Sequence, residues 1–318
     1  MNLSVERHEL GAVSYAVITP PADGPLPLCI VLMGGGGTRE HLVACQPLFE
    51  KWWAEGVMPP MILATPTAGM SYYLDDPVHW DSFLAEEFPA ALKHDGSKTV
   101  LMGISMGGYG ALKVAFAYPE RFQAVAAMQP MLEPGFHDAD IGARNRIHHP
   151  SGGPAGLIGA GRDPAVFEAN NPASRAHQNA PQIRNSGLAI YIDAGDQDFV
   201  NAHDGAEFLH RVLWDLDISH EYHLVRGGDH GGPTFVPRMR AAFAWLASVL
   251  APTAKTAHEA AVEEWIRDGM KGNPPAVPPS SKAFLQIMRA QLQPVRDEAA
   301  AKDPSTARRF GVLPSLVP

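Results

Sequence analysis

Along the first 250 residues, short apolar runs closed by Gly, Pro or Asp alternate with longer stretches of helical periodicity. The runs Leu28–Met33, Met61–Ala64, Thr99–Gly103, Ala124–Met128, Leu188–Asp193 and His220–Val225 read as strands. Most are apolar without alternation, the pattern of strands buried on both faces of a parallel sheet. Helical spacing fills the intervals at Arg39–Glu55, Trp80–Lys93, Met106–Tyr118, Ala202–Trp214 and Phe235–Leu250. Strand and helix in turn imply βαβ crossovers, hence an α/β fold with a mostly parallel central sheet and helices on both faces.

Two segments break this rhythm. Met131 to Asn185 is rich in Gly, Pro, Asn and His, with helical spacing only around Pro164–Asn170. It reads as a long insertion after a strand, and such segments commonly cover or complete a site. Beyond Leu250, a helix is expected from Thr256 to Met270, then a Gly-Pro breaker over Gly272–Pro279. An amphipathic helix follows to about Ala301, with Phe284, Ile287, Met288 and Leu292 on one side. The expected organisation is a main domain over residues 1–250, with its insertion at about 131–185, and a helical C-terminal extension over 251–318. That apolar stripe needs a surface to cover, either the body or a second copy, so a homo-oligomer built through the extension is an expectation.

Composition narrows the function. Of 318 residues 46 % are hydrophobic, enough for a sizeable core. The net charge is −9 and no basic run occurs, which argues against nucleic acid, since phosphates need clustered Lys and Arg. The N-terminus lacks an apolar core of the signal-peptide kind, and Leu26–Met33 is too short to span a bilayer. Neither a signal peptide nor a membrane partner is therefore expected. Cys29 falls in a strand and Cys45 in a helix, two packed, reduced thiols that suit the cytoplasm.

The chemistry begins at Thr99-Val-Leu-Met-Gly103-Ile-Ser105-Met-Gly107-Gly108. This is G-x-S-x-G with a strand before it and a helix after it, the nucleophile elbow of the α/β-hydrolase fold. The glycines leave room where a Cβ would meet neighbouring backbone, and the tight turn lifts the hydroxyl off the sheet edge. A serine hydroxyl needs a base, and the base an orienting acid, in the chain order Ser, acid, His. Leu188–Asp193 runs into Ala-Gly195-Asp-Gln-Asp198, and Tyr222–Val225 into Arg-Gly-Gly-Asp-His230-Gly-Gly. His230 is expected as the base, because it follows the last strand between glycines. Asp198 is the preferred acid, with Asp196 as runner-up and Asp193 read as structural. The oxyanion should meet the N–H of Met106 and one from the loop Met33-Gly-Gly-Gly-Gly37, with Gly35 the favoured donor. That loop is no phosphate cradle, because no Lys-Ser or Lys-Thr follows and the dinucleotide spacing is not met. The acid turn lacks the spacing of a calcium loop. Neither cofactor nor metal is expected.

Gly103-Ile-Ser-Met-Gly-Gly-Tyr-Gly-Ala-Leu112 resembles the elbow of the esterase D group, which includes S-formylglutathione hydrolases, feruloyl esterases and mycolyltransferases of the antigen 85 type. Ser71–Asp76 and His79–Pro89 resemble the group's segment upstream of the elbow, and Asp193–Asp198 its acid loop. The resemblance spans about Leu26 to Leu250 and implies a serine esterase acting through an acyl-enzyme, with Asp198 in the catalytic acid's place. It does not extend to the Ser-Gly-Leu-Thr-Cys-Thr stretch of the formylglutathione hydrolases, where this chain has Met33–Thr38. A small ester is the expected substrate, with Trp80, Tyr72, Tyr73 and residues of the insertion as candidate pocket walls. Trp80 reads equally well as a core aromatic. An acyltransferase using an acceptor other than water, or a binding protein that keeps the fold, are the alternatives.

Overall fold

The computed structural model describes residues 3–75, 77–94, 98–146, 164–252 and 257–268, with short stretches at 271–272, 275, 290–295, 297–298 and 301–302. The chain forms two compact units, Met1–Pro252 and Thr253–Pro318. In the second, the helix Ala257–Arg267 occupies the expected place. Of the amphipathic stripe expected beyond it, Phe284, Ile287 and Met288 lie outside the described residues.

The first unit is built on an eight-stranded sheet in the order β1-β2-β4-β3-β5-β6-β7-β8. The strands are β1 (Ser4–Leu10), β2 (Val13–Thr19), β3 (Leu28–Leu32), β4 (Ile62–Pro66), β5 (Thr99–Ile104), β6 (Ala124–Met128), β7 (Ala189–Gly195) and β8 (Glu221–Val225). From β4 to β8 every neighbouring pair is parallel, as the helical crossovers require. Two strands not expected from sequence, β1 and β2, form an antiparallel hairpin on the β4 edge. Its first strand is mostly exposed and polar, so it carries no core signature. Gly11, at φ 58° in the turn between them, was the local signal for the hairpin.

Alternate residues point to opposite faces, and two core layers result. Ile30, Leu32 and Leu101 join one cluster, and Cys29, Val31, Val100 and Met102 the other. Two expected helices differ in detail, and the expected insertion is more helical than its spacing indicates. Arg39–Glu55 is two helices, Arg39–Ala44 and Gln46–Ala54, the second admitting Pro47 in its first turn. Trp80–Lys93 passes through a π-turn at Phe83–Glu87, directly before Pro89, which has no N–H for a regular bond. Within 131–185 the described part is largely helical: Ala143–Arg146, Pro164–Asn170 and Pro172–Gln178, with Ala180–Ser186 ending just beyond. Proline read there as a loop signal, but it opens these later helices at N1 or N2, and Asn171 caps one by accepting from Ala173 N at 3.0 Å. Residues 147–163 lie outside the described part.

Candidate active site

Strand β5 delivers Ser105 at φ 56°, ψ −118°, a backbone state costly for any residue with a side chain. Packing makes the turn hold. A Cβ at Gly103 would overlap the Gly107 carbonyl, and one at Gly107 would overlap the Leu32 carbonyl. Ser105 N donates to Met128 O at 3.0 Å, and Ser105 O accepts from Met131 N at 3.1 Å. The turn is thus stitched to the end of β6, and the helix Met106–Ala117 starts at the serine.

Three carboxylates leave the end of β7, and each has a different partner. Asp193 is fully buried and pairs with Arg238 of the helix Phe235–Leu250. Its desolvation outweighs the guanidinium's pull and raises its pKa above the ordinary carboxylate value. Asp196 accepts from Gly227 N at 2.6 Å and ties the acid turn to the glycine loop. Asp198 Oδ2 lies 2.7 Å from His230 Nδ1, and its other oxygen accepts from Val200 N at 2.9 Å. On the far side of the ring, His230 Nε2 is 2.9 Å from Ser105 Oγ. The structure therefore brings Ser105, His230 and Asp198 into one chain of hydrogen bonds across 125 and 32 residues of sequence separation. Asp198 is buried while the His230 side chain keeps 16 % of its exposure, so the acid is sheltered and the imidazole faces the cavity.

The His230 loop hangs on polar side chains that sequence reasoning missed. Gln129, at φ 42° after β6, donates through Nε2 to the His230 carbonyl. Arg238 Nη1 donates to Gln129 Oε1 at 2.8 Å and to Asp229 O at 2.9 Å. Gln129 N donates to Asp193 O at 2.7 Å, closing the network. A lone Gln before Pro130 and an Arg inside an amphipathic helix carry no sequence signal for such a role.

The glycine loop after β3 lines the same cavity as Ser105 and Met106. Gly36 N donates to Gly69 O and Gly37 N to Gly34 O, both at 2.9 Å, so these two amides are spent in holding the loop. Tyr73 and Trp80, expected as pocket walls, stand elsewhere. Trp80 is 3 % exposed and meets the rings of Tyr73 and Phe83 edge to face, at 5.1 and 5.4 Å. Neither Tyr73 nor Trp80 lines the cavity; Tyr72 does. Tyr73 turns inward beneath Gly110, where its phenol donates to Met33 O at 3.2 Å, just before the glycine loop. Its own carbonyl accepts from Lys113 Nζ at 2.8 Å. That lysine is fully buried with Asp81, at 2.6 Å, and desolvation lowers its pKa despite the partner. The size and ring of Tyr73 and Trp80 suggested a pocket, but the same properties serve a core.

Cys29 is buried and Cys45, at the junction of two helices, is half-buried and lines the cavity; burial raises both thiols. Among the described residues no group of three or more His, Cys, Asp or Glu converges as a metal site would. No helix of the described residues is long and apolar enough to cross a membrane.

The family model Esterase, described as "Putative esterase", matches residues 47–246. A search of curated proteins finds no match. Among solved structures, a ferulic acid esterase is 17 % identical, with 78 % of this chain and 98 % of that one covered and a TM-score of 0.60. An S-formylglutathione hydrolase from Agrobacterium tumefaciens is 21 % identical over 78 % of this chain and 95 % of its own, with a TM-score of 0.61. The Staphylococcus aureus fluorophosphonate-binding serine hydrolase FphF is 16 % identical over 77 % and 98 %, with a TM-score of 0.60. At these identities the likeness is one of fold, the α/β-hydrolase fold.

Proposed function

The chain belongs to the esterase family whose model spans its residues 47–246, and from that premise we propose that it cleaves carboxylic esters through a covalent acyl-serine. It is an enzyme of the ester-hydrolase class. Ser105 Oγ attacks the ester carbonyl carbon as His230 Nε2 takes the hydroxyl proton. Asp198 accepts from Nδ1–H, which fixes the tautomer and steadies the imidazolium. The carbonyl oxygen, now negative, accepts from Met106 N–H and Gly35 N–H. With the amides of Gly36 and Gly37 committed to the loop, Gly34 and Gly35 remain, and Gly35 is the one favoured from the sequence. The helix Met106–Ala117 adds the favourable field of its N-terminus. Collapse of the adduct expels the alcohol, which takes the proton from His230. Water then attacks the acyl-serine with His230 as base, releasing the acid and restoring Ser105.

The observation that carries this reading is the continuous pair of contacts, Oγ to Nε2 at 2.9 Å and Nδ1 to Oδ2 at 2.7 Å. The test is Ser105→Ala. Loss of the nucleophile is expected to lower kcat on p-nitrophenyl acetate by a factor on the order of 10⁴ or more. The unmodified chain should take up one fluorophosphonate adduct on the peptide holding Ser105, and the variant none. Undiminished turnover in the variant would refute the assignment.

A further inference from the structure

The cavity at Ser105 continues past the serine into the core. It encloses about 710 Å³, within the range of about 300–1,000 Å³ typical of sites that enclose small ligands. Exposure sorts its walls into a mouth and a floor. Met70 is 58 % exposed, and Gly35, Gly36 and His41 are also exposed. Val31, Phe49, Met239 and Phe243 are at most 3 % exposed and still line the space. These four belong to the core layer between the sheet and the helices Gln46–Ala54 and Phe235–Leu250. The Phe49 and Phe243 rings meet edge to face at 5.5 Å, and Trp52 lies behind Phe243 at 5.7 Å, so the far wall is a packed aromatic group.

Chemistry and direction then restrict the occupant. No Lys, Arg, Asp or Glu is among the described lining residues, so a carboxylate or ammonium on the enclosed part of a substrate would find no such charge to pair with there. The two halves of an ester also have different needs. The alcohol must depart and water must arrive, which assigns it to the open side. The acyl half stays on Ser105 through both steps and suits the closed end. An acetyl group would leave that end empty, whereas an eight-carbon chain, at about 30 Å³ per water-sized group, fills about a third of the cavity.

We propose that the floor is an acyl pocket for an uncharged, medium-length acyl chain, stopped by Phe49, Met239 and Phe243. This deepens the esterase reading and rests on it. The experiment is the kcat/KM profile of the full chain on p-nitrophenyl esters from acetate to laurate. Each added methylene buried is expected to raise kcat/KM about fourfold until the chain meets the aromatic wall within the series, after which the profile falls. Two variants move the optimum in opposite directions: Met239→Trp toward shorter esters, and Phe243→Ala toward longer ones. The octanoate-to-acetate ratio within each protein is the readout, so loss of folded material cancels. A flat profile or a preference for acetate, with Ser105-dependent hydrolysis intact, overturns the acyl pocket and leaves the esterase reading standing. Shifts in the same direction in both variants overturn it too. Absence of turnover on every ester, together with no fluorophosphonate labelling, overturns the esterase reading itself.

Discussion

The turn that carries Ser105 and the loop that carries His230 meet at one hydrogen bond but are held by different physics. Backbone crowding fixes the first: Gly103 against Gly107, and Gly107 against the Leu32 carbonyl. The second is fixed by side chains, with Gln129, distant in the chain, on the His230 carbonyl and Arg238, of the helix that follows, on that of Asp229. Crowding is stiff and cannot be tuned, because a Cβ in the wrong place has nowhere to go. A buried polar network can be dismantled one bond at a time, and its ions are costly to desolvate, as the raised carboxyl of Asp193 indicates. Such a network is poor at stabilising and good at fixing an angle. A strained serine turn needs the first kind of support, and an imidazole aligned with two partners benefits from the second.

The largest expected effect comes from violating the crowding. Gly107→Ala drives a methyl into main chain that cannot retreat, at a cost of about 4 kcal/mol or more. For a chain of this size that lowers Tm by about 6 °C or more. Calorimetry checks it, and an alanine variant with unchanged Tm and turnover would show that the turn is not sterically locked.

Arg238→Met should come next. It strands the buried Asp193 carboxylate at a cost of about 3 kcal/mol, and it frees the Asp229 carbonyl. Adding Asp193→Asn removes the stranded charge and should recover much of the lost Tm. It should not recover kcat, because the His230 loop still lacks its guanidinium tie. If the double variant regains both together, the network supports folding alone and the contrast with the serine turn collapses.

Gln129→Ala is the mildest. Two buried ties are lost, to the His230 carbonyl and from Arg238, together worth about 2 kcal/mol, and kcat should fall about tenfold with KM little changed. Rescue by Gln129→Glu is not expected, since a carboxylate cannot donate to the His230 carbonyl. A change confined to KM would place Gln129 in substrate contact rather than in positioning the loop.

Much of this molecule is legible in its residues taken in order. The elbow was readable because steric crowding at a tight turn acts between near neighbours and leaves its mark as Gly-x-Ser-x-Gly. Strands β3 to β7 were readable because burial on both faces demands uninterrupted apolar runs, whereas β8, a mostly exposed edge strand, was readable from the glycine turn that closes it. The expected partners Asp198 and His230 follow from strand ends, since the carboxyl edge of a parallel sheet collects whatever succeeds each strand. Strand β1 escaped because an exposed edge strand needs no apolar signature, whereas the mostly buried β2 does carry one over Tyr15–Ile18. Tyr73 and Trp80 were misplaced because aromatic side chains look alike whether they wall a cavity or fill a core.

What only tertiary structure decided is anything that depends on which residues become neighbours across the sheet. Sequence ranks Asp198 ahead of Asp196 and reads Asp193 as structural, but the distinct partners of Asp193, Asp196 and Asp198, which are Arg238, Gly227 and His230, appear only in the fold. The cavity floor came from a helix near position 240 meeting one near position 50. Local sequence determines local shape because sterics and periodicity are short-ranged. Hydrogen-bond networks and cavities are sums over contacts distant in the chain, and they exist only once the chain has folded.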